Sequence, residues 1–222
     1  MSDVCPQCNS PLSPEALFCG KCGTPLYDGD APERFLNTTI AEKFLVQEIV
    51  GVGSMGVVYL AEQLSLNKLV ALKVLKQALV YDQEALKRFH FEARAASLLD
   101  HPNTISIIDF GQCDDGSPFI AMEYIDGQDL ARVVADEFPL APTRIIHIMK
   151  QVCSALDEAH AAGIIHRDLK LANIMISQRR TGEEFVKVLD FGIAKMADPM
   201  QSDGAAMTRE GLIAGTPSFM SP

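Results

Sequence analysis

Phe44-Leu-Val-Gln-Glu-Ile-Val50 runs directly into Gly51-Val52-Gly53-Ser54-Met55-Gly56, and Val57-Val58-Tyr59-Leu60-Ala61 follows at once. The glycines have the spacing G-x-G-x-x-G, which unrelated folds share. A dinucleotide-binding fold uses it to open a helix and places an acidic residue about twenty positions on. Here the residues after the glycines are β-branched and aromatic, which suits a second strand. The stretch therefore reads as strand, glycine turn, strand. The backbone N–H groups of such a hairpin can cover phosphates like a lid.

The rest of the composition sets bounds on this reading. Of 222 residues, 48% are apolar and 22% charged, which is ordinary for a globular chain and excludes a disordered one. Fifteen glycines and twelve prolines exclude a collagen-like repeat. The formal charge of −10 repels polyanions, so no nucleic-acid partner is expected. Charged residues interrupt every apolar run well short of about 18 residues, so no membrane segment is expected in this chain. The first residues, MSDVCPQCNS, lack the basic and apolar regions of a secretory leader. The expected compartment is cytoplasmic, where six cysteines are expected to stay reduced.

Four of those cysteines form two knuckles, Cys5-Pro-Gln-Cys8 and Cys19-Gly-Lys-Cys22. Each knuckle offers two thiolates, and together they suit one tetrahedral Zn²⁺ in a structural role. Asn9 and Gly23, the residues after each pair, tolerate the left-handed backbone that a knuckle turn often needs. The region resembles a zinc ribbon, expected over residues 1–27, with a protein partner as its candidate contact. Residues 28–40 are polar and rich in turn formers, and are expected to be a linker.

Past the glycine hairpin comes Val70-Ala71-Leu72-Lys73, followed by His166-Arg167-Asp168-Leu169-Lys170-Leu171-Ala172-Asn173 and then Asp190-Phe191-Gly192. In this order the motifs resemble those of bacterial Hanks-type serine/threonine protein kinases. The resemblance implies an α+β, two-lobed kinase-like fold over residues 41–222, preceded by the small zinc ribbon. A β-rich N-lobe is expected over about 41–125, and a helical but incomplete C-lobe over about 126–222. It implies ATP and Mg²⁺ as cofactors, the Ser/Thr hydroxyls of protein substrates as acceptors, and a role in signalling. The departure at Leu171, where the family usually has Pro, touches no catalytic side chain.

By the same resemblance Lys73 grips the ATP phosphates and is held by Glu92. Residues 82–99 carry Leu86, Phe89, Ala93 and Ala96 at helical spacing. Glu84 is a rival partner, but its place at the helix start suits the helix dipole. Val50, Gly51, Gly53, Gly56, Val58, Ala71, Met122, Glu123, Ile125, Asp129, Met175 and Leu189 are the candidate nucleotide contacts. Met122 matches the gatekeeper position, and Glu123 and Ile125 match the hinge. The apolar members of this set are equally readable as core, and Asp129 as a helix N-terminal acid. Asp168 is the expected acceptor-orienting base, Lys170 the charge-neutralising cation, and Asn173 and Asp190 the Mg²⁺ ligands.

Residues 142–162 read as one helix with an apolar stripe of Ile145, Ile146, Met149, Val152, Leu156 and Ala159. Residues 190–222 resemble an activation segment. Thr208 is its candidate phosphorylation site, with an ordinary loop hydroxyl as the alternative, and Thr216 is expected at the substrate pocket. The chain ends at Met220-Ser221-Pro222, where the family continues with Glu and further helices. An exposed apolar face on helix 142–162 is therefore expected. Two other readings stay open: an ATP-binding but inactive kinase fragment, and a zinc-ribbon interaction module with a vestigial kinase part.

Overall fold

Alternation of apolar and polar residues from Phe44 to Glu123 builds an antiparallel sheet in the computed structural model, which describes residues 10, 11 and 31–191. Its strands are β1 (Thr39–Ile40), β2 (Phe44–Val52), β3 (Gly56–Gln63), β4 (Lys68–Leu75), β5 (Ile107–Gln112) and β6 (Pro118–Glu123). They lie in the order β1-β2-β3-β4-β6-β5. β2 pairs with β3 with two register shifts, between Val46 and Glu48 and between Ile49 and Gly51, where the hairpin bends toward its glycine turn.

The two faces of this sheet have different fates. Val57, Tyr59, Ala61, Val70, Leu72, Val74, Phe119 and Ala121 are buried together on one face with Ile40, Phe44 and Val46. On the other, pairing sets Val58 opposite Lys73, Lys73 opposite Ile120, and Ala71 opposite Met122. Side chains on successive strand residues point to opposite faces, so one lysine and its apolar neighbours face the second lobe while the larger core lies behind them.

Helix α1 (Gln83–Ser97) crosses that second face. The Asp82 side chain caps it by accepting from the N–H groups of Glu84 and Ala85. Ala85, Phe89, Glu92, Ala93 and Ala96 form its buried stripe. The second lobe consists of β7 (Gly127–Asp129), α2 (Leu130–Glu137), α3 (Pro142–Ala161), β8 (Ile174–Gln178) and β9 (Glu184–Val188), with the small sheet ordered β7-β8-β9. Gly163, at φ 74°, ends α3 with a backbone turn that suits glycine.

Two expectations are corrected here. The segment 28–40 is not a free linker throughout: from Pro32 it is packed on the sheet. Pro32–Phe35 form a 3₁₀ turn, the main chain of Asn37 and Thr38 bonds to Val46, and Phe35 and Leu36 lie against the outer core. The stripe on α3 is also partly misassigned. The buried row is Ile148, Val152, Ala155 and Ala159, whereas Ile145, Ile146 and Met149 are about half exposed. The expected apolar face is present, but it is a second row beside the one packed against β9. Among the described residues, no helix is long and apolar enough to cross a membrane.

Candidate active site

The roof of the site is the β2–β3 hairpin. Its turn closes with the Gly53 N–H donating to the Gly56 carbonyl at 2.8 Å. A Cβ on Gly56 would sit 2.5 Å from the Val74 carbonyl oxygen, so only glycine lets the loop return this close to β4. Of the expected nucleotide contacts, Val58, Ala71, Met122, Met175 and Leu189 are half-buried, as are Glu123, Ile125 and Asp129, while Val50 is exposed. Asp129 caps α2, its Oδ1 accepting from the Arg132 N–H at 3.0 Å.

At the centre of β4, Lys73 extends its ammonium between two carboxylates. It forms a short ion pair with Glu92 Oε1 on α1, and a second with Asp190 Oδ1 at 3.3 Å. Glu84 points elsewhere and pairs with Arg88 on the exposed side of the helix. Three distant segments thus meet at one cation. Burial pushes the Glu92 carboxyl up to about 7, opposed by Lys73 and reinforced by the neighbouring Asp190 charge. Partial desolvation works against a charged Asp190, but Lys73, helped by the Glu92 hydrogen bond, outweighs it and holds that carboxyl below the usual range. The same two carboxylates raise Lys73 above its ordinary value despite burial.

The loop from His166 to Asn173 is a hydrogen-bonded knot. Lys170 Nζ donates to Asp168 Oδ2 at 2.8 Å, and Asn173 Nδ2 donates to the Asp168 carbonyl at 2.9 Å. The Asp168 N–H bonds the His166 carbonyl, and the Leu189 N–H bonds the Asn173 carbonyl, each at 2.8 Å. His166 Nε2 donates to the Leu189 carbonyl at 2.9 Å, and its ring lies against Phe191 with centroids 4.9 Å apart. Burial lowers the His166 pKa, its Nδ1 is buried without a hydrogen-bond partner, and the ring braces the loop through its Nε2 bond and its packing on Phe191. Arg167, inside this knot, and Asp190, just after Leu189, both hold left-handed backbones, at φ 59° and 52°.

Sequence reading missed Lys187. It is buried on β9, with Nζ donating to the Thr104 carbonyl at 2.9 Å and to Glu123 Oε1 at 2.6 Å. The Glu123 carboxylate also accepts from the Ser106 N–H at 2.8 Å. The hinge is therefore pinned to the strand that leads into Asp190. The available signal was a single charge inside the apolar run Phe185-Val186-Lys187-Val188-Leu189. Cys5, Cys8, Cys19, Cys22, Thr208 and Thr216 lie outside the described residues.

Comparison with known proteins agrees with this geometry. A family model for the protein kinase domain matches residues 44–222, and one for a zinc-ribbon domain matches residues 4–26. The chain is 53% identical over 190 residues to the serine/threonine-protein kinase pkn3 of Myxococcus xanthus, covering 86% of this chain and 35% of that protein. It is 39% identical over 186 residues to the serine/threonine-protein kinase PknB of Mycobacterium tuberculosis, covering 82% of this chain and 29% of that protein. It thus spans roughly a third of the length of these relatives. Among solved structures, the Mycobacterium tuberculosis PknI kinase domain superposes with a TM-score of 0.60 at 37% identity, covering 72% of this chain and 63% of that one. The protein kinase match covers the glycine hairpin, Lys73 with its two carboxylates and the knotted loop beneath them, and the chain belongs to the protein kinase family of the bacterial Hanks type.

Proposed function

We propose that this chain carries the nucleotide-binding and phosphoryl-transfer centre of a serine/threonine protein kinase. The observation that carries the reading is Lys73, a buried ammonium from the N-lobe meeting Glu92 and Asp190 at the floor of the glycine hairpin. A cation fixed there is aimed to take up phosphate charge.

The residues fit MgATP. Asn173 commits its Nδ2 to Asp168, which leaves its Oδ1 as an acceptor. Together with the Asp190 carboxylate, 44% exposed, it supplies the hard oxygen donors that Mg²⁺ prefers. When bound, the ion neutralises charge on the transferring phosphoryl group. The chain's own residues do the remaining work. Glu92 orients Lys73, Asp168 accepts or orients the acceptor hydroxyl proton, and Lys170 offsets the charge beside it. The backbones of Glu123 and Ile125 would hold the adenine edge, with Val58, Ala71, Met175 and Leu189 as the apolar groups that would pack on the ring. Thr208 is the proposed regulatory phosphorylation site and Thr216 part of the substrate pocket. The ribbon is assigned to residues 1–27, where Cys5, Cys8, Cys19 and Cys22 hold a structural Zn²⁺; all four lie inside the zinc-ribbon match.

Intact-mass spectrometry after incubation with MgATP, beside the Asp168→Asn variant, tests the reading. The expected result is added phosphate in the wild type and none in the variant. MgATP-dependent stabilisation with no phosphate transferred to itself or to a generic protein substrate would reduce the chain to a nucleotide-binding fragment.

A further inference from the structure

Residues 32–40 fall between the two family matches, which end at 26 and begin at 44. A simple tether there would need no fixed contacts. Instead the Arg34 side chain is only 15% exposed and its guanidinium meets four groups of the N-lobe. Nη2 donates to the Leu75 carbonyl at 3.3 Å and to Ser117 Oγ at 3.2 Å, and Nη1 donates to Gln77 Oε1 at 3.4 Å. Nη1 also lies 3.3 Å from Asp115 Oδ2, while the other oxygen of that carboxylate accepts from the Ser117 N–H at 2.9 Å. The planar fork of arginine is what allows one side chain to serve several acceptors at once. On either side, the Tyr59 hydroxyl donates to the Pro32 carbonyl at 2.8 Å, and Phe35 meets the Tyr59 ring edge-on at 6.0 Å.

The carbonyl that Arg34 holds belongs to the Leu75–Lys76 peptide. The N–H of that same peptide donates to the Met55 carbonyl at 3.0 Å, and Met55 lies inside the glycine turn. One amide plane is thus gripped by Arg34 at one end and by the phosphate-lid turn at the other. Hydrogen bonds at the two ends of an amide polarise and support each other. Gly56 packs against the neighbouring Val74 carbonyl, so the turn rests on this strand end. Gln77 opens the short 3₁₀ turn that leads toward α1 and Glu92.

We propose that Pro32–Thr38 is a clamp that sets the position of the glycine-rich turn, with Arg34 as its positioning residue. The Cys-rich module ends at Cys22, ten residues before Pro32. The effect on nucleotide binding rests on the function proposed above; the effect on the turn itself does not.

The test uses the full-length protein as wild type, Arg34→Met, Arg34→Lys and Asp115→Asn. Hydrogen exchange without nucleotide should show faster exchange at Gly53 and Lys76 in Arg34→Met, with α3 amides from Val152 to Ala159 unchanged. MgADP affinity measured by calorimetry should fall about five- to thirty-fold in Arg34→Met, with smaller losses in Arg34→Lys and Asp115→Asn. Loss of protection confined to residues 32–40, or spread evenly over the chain, overturns the clamp. Wild-type protein that binds no MgADP refutes the nucleotide reading, and the exchange result at Gly53 and Lys76 then decides the clamp by itself.

Discussion

Replacing Lys187 with Met is the most direct test of how the two lobes are held. The ammonium is buried and bonds to the Thr104 carbonyl and to Glu123 Oε1. Methionine fills similar space but offers no donor, so the Thr104 carbonyl loses its side-chain partner and Glu123 Oε1 keeps only the Ser106 N–H. Removing one member of a fully buried pair costs about 3–5 kcal/mol. The Glu123 side chain is 26% exposed and keeps its bond from Ser106, so water and that N–H recover part of the loss. The expected cost is about 2–3 kcal/mol. Glu123→Gln keeps an acceptor in place but leaves the Lys187 charge less compensated, at about 1–2 kcal/mol. Urea unfolding of the wild type, both single variants and the double variant gives the coupling, expected at about 1–2 kcal/mol. A Lys187→Met cost under about 0.5 kcal/mol with coupling near zero would refute the reasoning, because that is the behaviour of an exposed pair.

Two further outcomes follow from burial. Glu92 is raised from its ordinary 4.5 to about 7 in the folded protein, so its contribution to stability is full below about pH 4.5 and is lost as the pH rises through 7. The stability difference between wild type and Glu92→Gln, followed by urea midpoints from pH 4.5 to 8, should move against the wild type across that window; movement in its favour would contradict the assignment. Burial also pushes the Cys113 thiol up to about 12, whereas Cys153 is exposed. Alkylation of the native protein followed by peptide mass spectrometry should modify Cys153 readily and Cys113 only after unfolding.

Local pattern made much of the site legible. Residues 82–99 were expected to be helical, and α1 spans Gln83–Ser97 because Asp82 caps it. Glu92 shares its face with Phe89, Ala93 and Ala96, which is why helical phase points it toward Lys73 and points Glu84 outward. The loop from His166 to Asn173 is contiguous, so its internal bonds need little help from the rest of the chain. Long-range partners were not legible. Arg34 looks like one charge in a polar stretch until Leu75, Gln77, Asp115 and Ser117 converge on it. The buried row of α3 was ambiguous for another reason: two apolar rows lie side by side on one helix, and periodicity cannot say which of them meets β9. The polar turn formers before Thr39 suggested a linker, because composition does not show that Phe35 and Leu36 have a core to enter.

The left-handed backbones at Arg167 and Asp190 set a limit on evolving this chain for robustness. Aspartate tolerates that conformation better than arginine does, yet glycine would relax either position by up to about 1 kcal/mol. A library sorted only for survival on heating would therefore be drawn toward glycine at position 167, beside Asp168, whereas at position 190 the ion pair with Lys73 resists the change. Thermal selection and phosphoryl transfer would then favour opposite sequences, and a heat-hardened descendant would have to be screened for activity in the same round.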